Sequence, residues 1–502
     1  MTRKSSDSSG RSSSKQVASI VSGNEKVADD GQSPGAQLAS NGLAEEEEQQ
    51  EVNSGQRNYS FFSKEFSQHR KSIVKSFFII NGTLCVFVLA VFSIYWGSFY
   101  HRSSRYRNLK MLVVNEDDSV VDGIDPVFGD SFTAMLRTPI AIENGDWRIF
   151  NTAQFQQFAQ QNNESVDESI WRLVEQQEYW ASIHIRANAS YNYVNALRNG
   201  DTSYNITANS IVVNYQAGRD FINMQQSIVP RILLIEKLWL QHQPQVVTQL
   251  AANVSMFNST AQMAILTHPL TFTIVDSAPF TDTVLVAPGQ VGFIYMIIIT
   301  FFAFNFFGDV HQQIAKSGLN KFHFLIYRYL SSILTFAVLS LFFGLVSLAF
   351  QVDFTLNYGR AGFLVYWAIA FLTMCAVGLL NEIMAMLAIS VYPPLLGFWL
   401  LSWVIINISP TFGSFALMNN FYKYGYAMPI YNSFSAAKTV FFKVSKNSLG
   451  RNFGILIAWW AVLTVVFPFM LKYFGETMAR KAQLATQEAA RAQAVANQEK
   501  QE

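Results

Sequence analysis

An asparagine and a glutamate stand side by side, Asn381-Glu382, inside the apolar run 362–389. A carboxylate at membrane depth is costly, and it generally faces a cavity or a partner. The alternative is a side chain reaching the interface, since Tyr392-Pro393-Pro394 ends the run shortly afterwards. Asn305 and Asn407 are milder cases, for which hydrogen bonding between helices suffices. Ser435-Ala436-Ala437-Lys438 has the S-x-x-K spacing of acyl-enzymes, but no S-D-N or K-T-G accompanies it. Neither G-x-S-x-G nor H-E-x-x-H occurs, and the seven histidines are scattered. No Walker A sequence is present, so any ATP-driven work would need a separate ATPase. Cys85 and Cys375 fall in apolar runs and read as buried thiols. No cofactor or metal site and no catalytic set is expected, so the chain does not read as an enzyme. The carboxylates Asp117 and Asp118 remain as a distant catalytic option.

The elements that must position these residues are apolar runs. One stands alone at 77–96, and five crowd 291–474: 291–307, 324–350, 362–389, 395–408 and 453–474. Each is of the order of the ~20 residues that a bilayer-spanning helix requires. Half of the chain is hydrophobic and only 14% is charged, against about a quarter in soluble proteins. The net charge of +1 gives no footprint for nucleic acid. The fold class expected is an α-helical multi-pass membrane protein of six spans, one N-terminal and five C-terminal. A large α+β extracytoplasmic domain lies between spans one and two.

Residues 1–58 are rich in Ser, Gly, Gln and Glu and read as a disordered cytosolic tail. Serines near Lys4, Arg11 and Lys15 have the setting of phosphosites, although for any one of them a solvated tail is the favoured reading. Residues 59–98 hold a basic approach and the first span, a retained signal rather than a cleaved one. Basic residues flank both sides of that span, so the positive-inside rule alone does not decide orientation. Sequons at Asn163, Asn188, Asn205, Asn253 and Asn258 place the insert, 99–289, outside the cytosol. Within it, 109–114 and 209–214 read as strands, and 165–177 and 218–241 as helices. Residues 290–475 form the five-span bundle. Within it, 411–451 mixes aromatics with lysines and reads as a re-entrant or interfacial segment. Residues 476–502 read as a cytosolic helical tail, so both termini lie inside.

Leu112-Val113-Val114-Asn115-Glu116-Asp117 and Tyr179-Trp180-Ala181-Ser182-Ile183-His184-Ile185 resemble two strands of the ABC-2-type exporter membrane domain, in its phage-infection-protein branch. The Pro usual near the second is missing. Tyr424-Gly425-Tyr426-Ala427-Met428-Pro429-Ile430-Tyr431-Asn432 resembles the signature of the fungal nitrosoguanidine-resistance family (DUF3533). The residues carrying that likeness are Tyr424, Gly425, Tyr426, Met428, Pro429 and Asn432. The resemblance covers about 75–475. It implies a plasma-membrane protein linked to drug tolerance and lipid homeostasis; the sequence leaves the endoplasmic reticulum membrane as the alternative location.

Two functions follow as expectations. In the first, an ABC-2-like protein without its own ATPase acts in export or phospholipid leaflet distribution. Its partners are membrane lipids and a separate ATPase or a second copy of itself. In the second, the protein is a non-transporting scaffold that binds partners through its tails and outer domain. In the signature segment, Lys423 and Lys438 could pair with lipid phosphate, although fixing the bend of a re-entrant segment is the favoured reading.

Overall fold

A computed structural model describes residues 60–257 and 259–499. The expectations for the tail 1–58 and for Asn258 lie outside these residues. Residues up to Asn81 and residues from Gly82 on form two separate units. In the first, Arg70 donates to the Phe61 carbonyl at 2.8 Å, and the Phe61 ring stands edge-on to Phe62. Helix α1, Ser67–Gly97, begins there.

The insert is built on one five-stranded sheet. Its strands are β1 (Lys110–Asn115), β2 (Asp146–Asn151), β3 (Ala181–Ile185), β4 (Ile211–Tyr215) and β5 (Thr273–Asp276), in the order β2-β1-β3-β4-β5. β1 runs parallel to β2 and β3, β4 runs antiparallel to β3, and β5 is parallel to β4. β1 and β3 are buried almost throughout; β1 reads as an unbroken apolar run, whereas β3 also buries Ser182 and His184. The covering helices are α2 (Val127–Leu136), α3 (Thr152–Gln161), α4 (Val166–Glu175), α5 (Ala189–Asn199) and α6 (Val229–Ala251). Capping boxes, Asn151 with Gln154 and Ser165 with Glu168, start α3 and α4. The largest core group joins α2 to α6, with Phe132 edge-on to the fully buried Trp239 at 5.3 Å.

Two local readings are corrected here. The strands lie at 110–115 and 211–215, slightly displaced from the expected ranges. The helix expected at 218–241 starts at Phe221, where the Asp220 carboxylate caps it by accepting from the Asn223 amide and side chain. It passes through a wider turn at Met224–Ile228 and continues as regular α-helix from Val229 to Ala251.

The bundle contains α7 (Gly292–Phe306), α8 (Gly308–Lys316), α9 (Lys321–Ala349) and α10 (Gly362–Val391). It continues with α11 (Leu395–Ile408), α12 (Pro429–Phe441) and α13 (Leu449–Glu499). Among the described residues, five helices are long and apolar enough to cross a membrane: Ser67–Gly97, Thr283–Lys316, Lys321–Ala349, Gly359–Val391 and Leu449–Val495. Leu395–Thr411 is a shorter apolar helix. The last run and the C-terminal tail as far as Glu499 are one continuous helix, α13. α10 is the centre: 61% of its apolar window is buried, against at most 33% in the other four. Gly378 permits this on one side, because a Cβ there would lie 2.4 Å from the Phe336 ring of α9.

The end of β1 is tied to two helices. Asp117 accepts from the Gly129 amide at 3.2 Å, the Ser190 amide at 3.0 Å and the Ser190 hydroxyl at 2.6 Å. Asn115 Oδ1 accepts from the Asp117 amide. A Cβ on Gly129 would lie 1.9 Å from the Asp117 carbonyl, so only glycine fits. Gly129→Ala should therefore push α2 off the sheet. We expect a loss on the order of 1–3 kcal/mol, read as a lowered unfolding midpoint of the purified protein. An unchanged midpoint would show that this contact does not hold α2.

Candidate functional site

Asn381 and Glu382 sit on neighbouring positions of α10, and both are buried. Asn381 donates to the Ile297 carbonyl at 2.9 Å and to Thr300 Oγ1 at 3.1 Å, both on α7. Its carbonyl oxygen accepts from the Trp399 indole of α11 at 3.1 Å. Glu382 turns the other way and accepts from Arg328 Nη2 of α9 at 3.1 Å. Both side chains of this pair are about 5% exposed or less. The Glu382 carboxylate is thus held inside the bundle by a cation. Arg328 is the partner that sequence reasoning missed. Its signal was present, because a basic residue seven positions into an apolar helix needs an anion. Asn407 accepts from the Ile430 amide of α12, whereas Asn305 donates to Phe301 of its own helix.

The signature residues fix the segment between α11 and α12. The Tyr424 hydroxyl donates to the Ile406 carbonyl at 2.9 Å. A Cβ on Gly425 would lie 2.4 Å from Pro410. Asn432 donates to the Tyr426 and Met428 carbonyls, and Pro429 opens α12, where its missing N–H costs nothing. Most of α12 is buried among α10, α13 and the short helices beside it.

A cavity of about 520 Å³ lies where this segment meets the insert. Arg219, Asp220 and Trp180 line it from the insert; Tyr431, Ser435 and Lys438 line it from α12. Arg219 stacks on Trp180 at 3.9 Å and donates to the Gln177 and Tyr179 carbonyls. Burial pulls its pKa down to about 10, which leaves it charged. Lys438 Nζ lies 4.8 Å from the Phe434 ring. Among the described residues it makes no ion pair and no hydrogen bond, and Asp220 reaches it only at longer range. Tyr426 and Arg451 stand beside the cavity in cation–π contact at 5.2 Å. Lys423 is exposed and does not line it.

A second cluster lies at the C-terminal edge of β1 and β3. His184 Nε2 meets Glu116 at 2.6 Å, and its Nδ1 meets Asp167 at 3.1 Å. Arg186 pairs with Asp167 at 2.7 Å. Burial disfavours the imidazolium, but the two carboxylates outweigh burial and raise the pKa of His184. Asp167 is held well below the usual carboxylate range by the hydrogen bond to His184 and by Arg186. Asp117 is raised by burial against its three hydrogen bonds. Asp118 accepts from the Thr152 amide and hydroxyl at the start of α3. The carboxylates considered for catalysis are thus engaged in holding helices. Among the described residues, no group of three or more His, Cys, Asp and Glu is placed to hold a metal ion.

A family model described as a protein of unknown function, DUF3533, matches residues 81–465. The chain belongs to the DUF3533 family. It is also 36% identical, over 441 residues and 86% of each chain, to an uncharacterized endoplasmic reticulum membrane protein of Saccharomyces cerevisiae. No solved structure matches. The family match covers most of α1, the insert and the bundle of this DUF3533 protein, including the Arg328–Glu382 pair and the cavity residues.

Of the sequon asparagines, Asn163, Asn188 and Asn205 are exposed and Asn253 is half-buried. Asn163 and Asn188 lie at left-handed turns. The Asn205 side-chain oxygen caps a short helix. The Asn253 amide donates to the Gln249 and Leu250 carbonyls.

Removing one partner of a buried pair leaves an uncompensated charge, at a cost of about 3–5 kcal/mol, whereas replacing both with apolar groups is often neutral. Glu382→Leu should therefore lower the thermal midpoint in detergent markedly, and Arg328→Met with Glu382→Leu should restore most of it. Equal loss in the single and double variants would contradict that pairing. In the insert, the raised pKa of His184 means its stabilisation is complete below the ordinary imidazole value of about 6.5 and is lost as pH rises through the folded value. The unfolding midpoint of His184→Gln should fall furthest behind the native protein in mildly acidic buffer. The gap should close as pH rises; a gap independent of pH would exclude the ionised contact.

Proposed function

We propose that this DUF3533 protein moves phospholipid between membrane leaflets, with the cavity at the insert–bundle junction receiving the headgroup. The observation that carries this reading is Lys438, an ammonium lining a polar cavity with no ion pair and no hydrogen bond within the described residues. A lipid phosphate would supply that anion, and Tyr426, Tyr431 and Trp180 provide the aromatic surroundings that headgroup regions favour. Ser435 adds a hydroxyl beside Lys438. Drug tolerance would follow from altered leaflet composition and permeability.

The topology proposed has six crossings, with both termini cytosolic and the insert outside the cytosol. The sixth crossing would be Leu395–Thr411, whose 17 residues reach ~25 Å at 1.5 Å per residue, close to the ~30 Å hydrocarbon core. Its two ends support this. One follows directly on α10 through Pro393-Pro394. At the other, Thr411 accepts from Gln290 before α7, and Phe412 accepts from Arg102 beside the insert. The endoplasmic reticulum is the compartment we propose, because the yeast relative's name places that protein there. The likeness to ABC-2 exporters supports a transport role in which force would come from outside the chain.

Purified protein in liposomes carrying a fluorescent phosphatidylethanolamine should speed leaflet exchange, measured as the dithionite-accessible fraction over time. Lys438→Gln should slow it about tenfold, the effect of losing roughly 1.4 kcal/mol of headgroup contact. If the native protein exchanges lipid no faster than empty liposomes, transport is excluded and the scaffold reading takes its place.

A further inference from the structure

The Arg328–Glu382 pair does not stand alone in the bundle. A cavity of about 10 Å³ touches Glu382 on one side and His311 of α8 on the other, roughly the room one water molecule needs. Ser331, Ser332 and Thr335 of α9 line it with hydroxyls. His311 Nδ1 is engaged by the Tyr327 hydroxyl at 3.0 Å, and His311 stands at the corner where α7 gives way to α8, outside the apolar stretch. A titratable ring, a water-sized gap and a buried carboxylate therefore lie in sequence from one end of the bundle inward.

We propose that Glu382 is a proton-binding site loaded from the α8 side through His311, and that the proton competes with Arg328 for the same carboxylate. The step is a simple transfer. An N–H bond of protonated His311 breaks and an O–H bond forms on Glu382, relayed by a water in the gap; His311 then takes a new proton from solvent, and Arg328 keeps its charge. Arg328 then has no counter-ion within the described residues, so the protonated state disfavours the tight contact of α9 with α10. Proton binding and α9–α10 separation are thus linked in both directions. The groups facing Glu382 are few. Arg328 and Ser332 come from α9 and His311 from α8, while α7 offers Ala303, Phe304 and Phe307. α11 is engaged with Asn381 through Trp399. On α13, Lys481 reaches the α10 carbonyl of Ile389, two turns beyond. A second carboxylate that could take the proton in place of Glu382 is absent from this set.

This inference goes beyond the lipid reading and does not depend on it, since a scaffold could also bind a proton here. The test is infrared difference spectroscopy of the purified native protein, acidified from about pH 9 to about pH 5. A carboxylic-acid band of apolar surroundings should appear and be missing in Glu382→Gln. Hydrogen exchange of α9 and α10 amides should quicken over the same range. In Arg328→Met, with the competing cation gone, the band should already be present at the alkaline end. In His311→Gln its appearance after a pH jump should slow severalfold. The proposal is overturned if the native protein gives no such band. It is equally overturned if the band survives in Glu382→Gln, or if amide exchange in α9 and α10 does not follow it. None of these readouts involves lipid transfer, so failure here and failure of the liposome assay are separable.

Discussion

Two adjacent side chains of α10 hold the bundle in register. Lipid tails are as apolar as leucine, so helices in a membrane gain no hydrophobic drive from meeting one another, and directional polar contacts count for more. Asn381 takes α7 and α11; Glu382 takes α9. Because the residues are consecutive, their side chains project about 100° apart on one helix. One step of sequence thus fixes the azimuth of three neighbours around α10. The Thr373–Ser433 hydroxyl pair does the same for α12, and Tyr329, bonded to Thr464 and Trp460, ties α9 to α13. Gly378 completes the set by letting the Phe336 ring approach the α10 backbone.

The junction between insert and bundle follows a different principle. There the contact is aromatic and close. Phe442, just beyond α12, lies where a Cβ on Gly218 would be, and it shares a cluster with Phe221 and Phe280. Arg102 reaches the Phe412 carbonyl and packs on Phe99. This apolar seam surrounds a polar cavity, and the charges inside it are unevenly satisfied. Arg219 is stacked and hydrogen-bonded, while Lys438 has only a ring beside it. A cation left in this state is the feature of the junction that most calls for a ligand.

Much was legible before any coordinates. The apolar runs located the long helices because a bilayer admits few other solutions, and β1 stood out as a short β-branched run. Other elements were hidden. β2, with the sequence Asp-Trp-Arg-Ile-Phe-Asn, is half-exposed and polar at both ends, and β5 is only four residues long. The widened turn at Met224–Ile228, just before α6, was concealed by helical periodicity over 218–241. The signature around Tyr424 was recognisable as a segment. What it does, fastening α11 to α12 through carbonyls distant in sequence, was not.

Composition and patterning alone determined that this chain is a helical membrane protein, where its apolar helices fall, and that one carboxylate lies within them. Those properties follow from transfer free energies that act residue by residue. Which cation answers Glu382, which helices Asn381 joins and which lysine faces the cavity were decided only by the tertiary structure. Arg328 and Glu382 are 54 positions apart, and Lys438 and Arg219 still further. No local rule relates such pairs. They are brought together because α9, α10 and α12 pack around shared interior positions, and packing is a property of the whole bundle rather than of any segment in it.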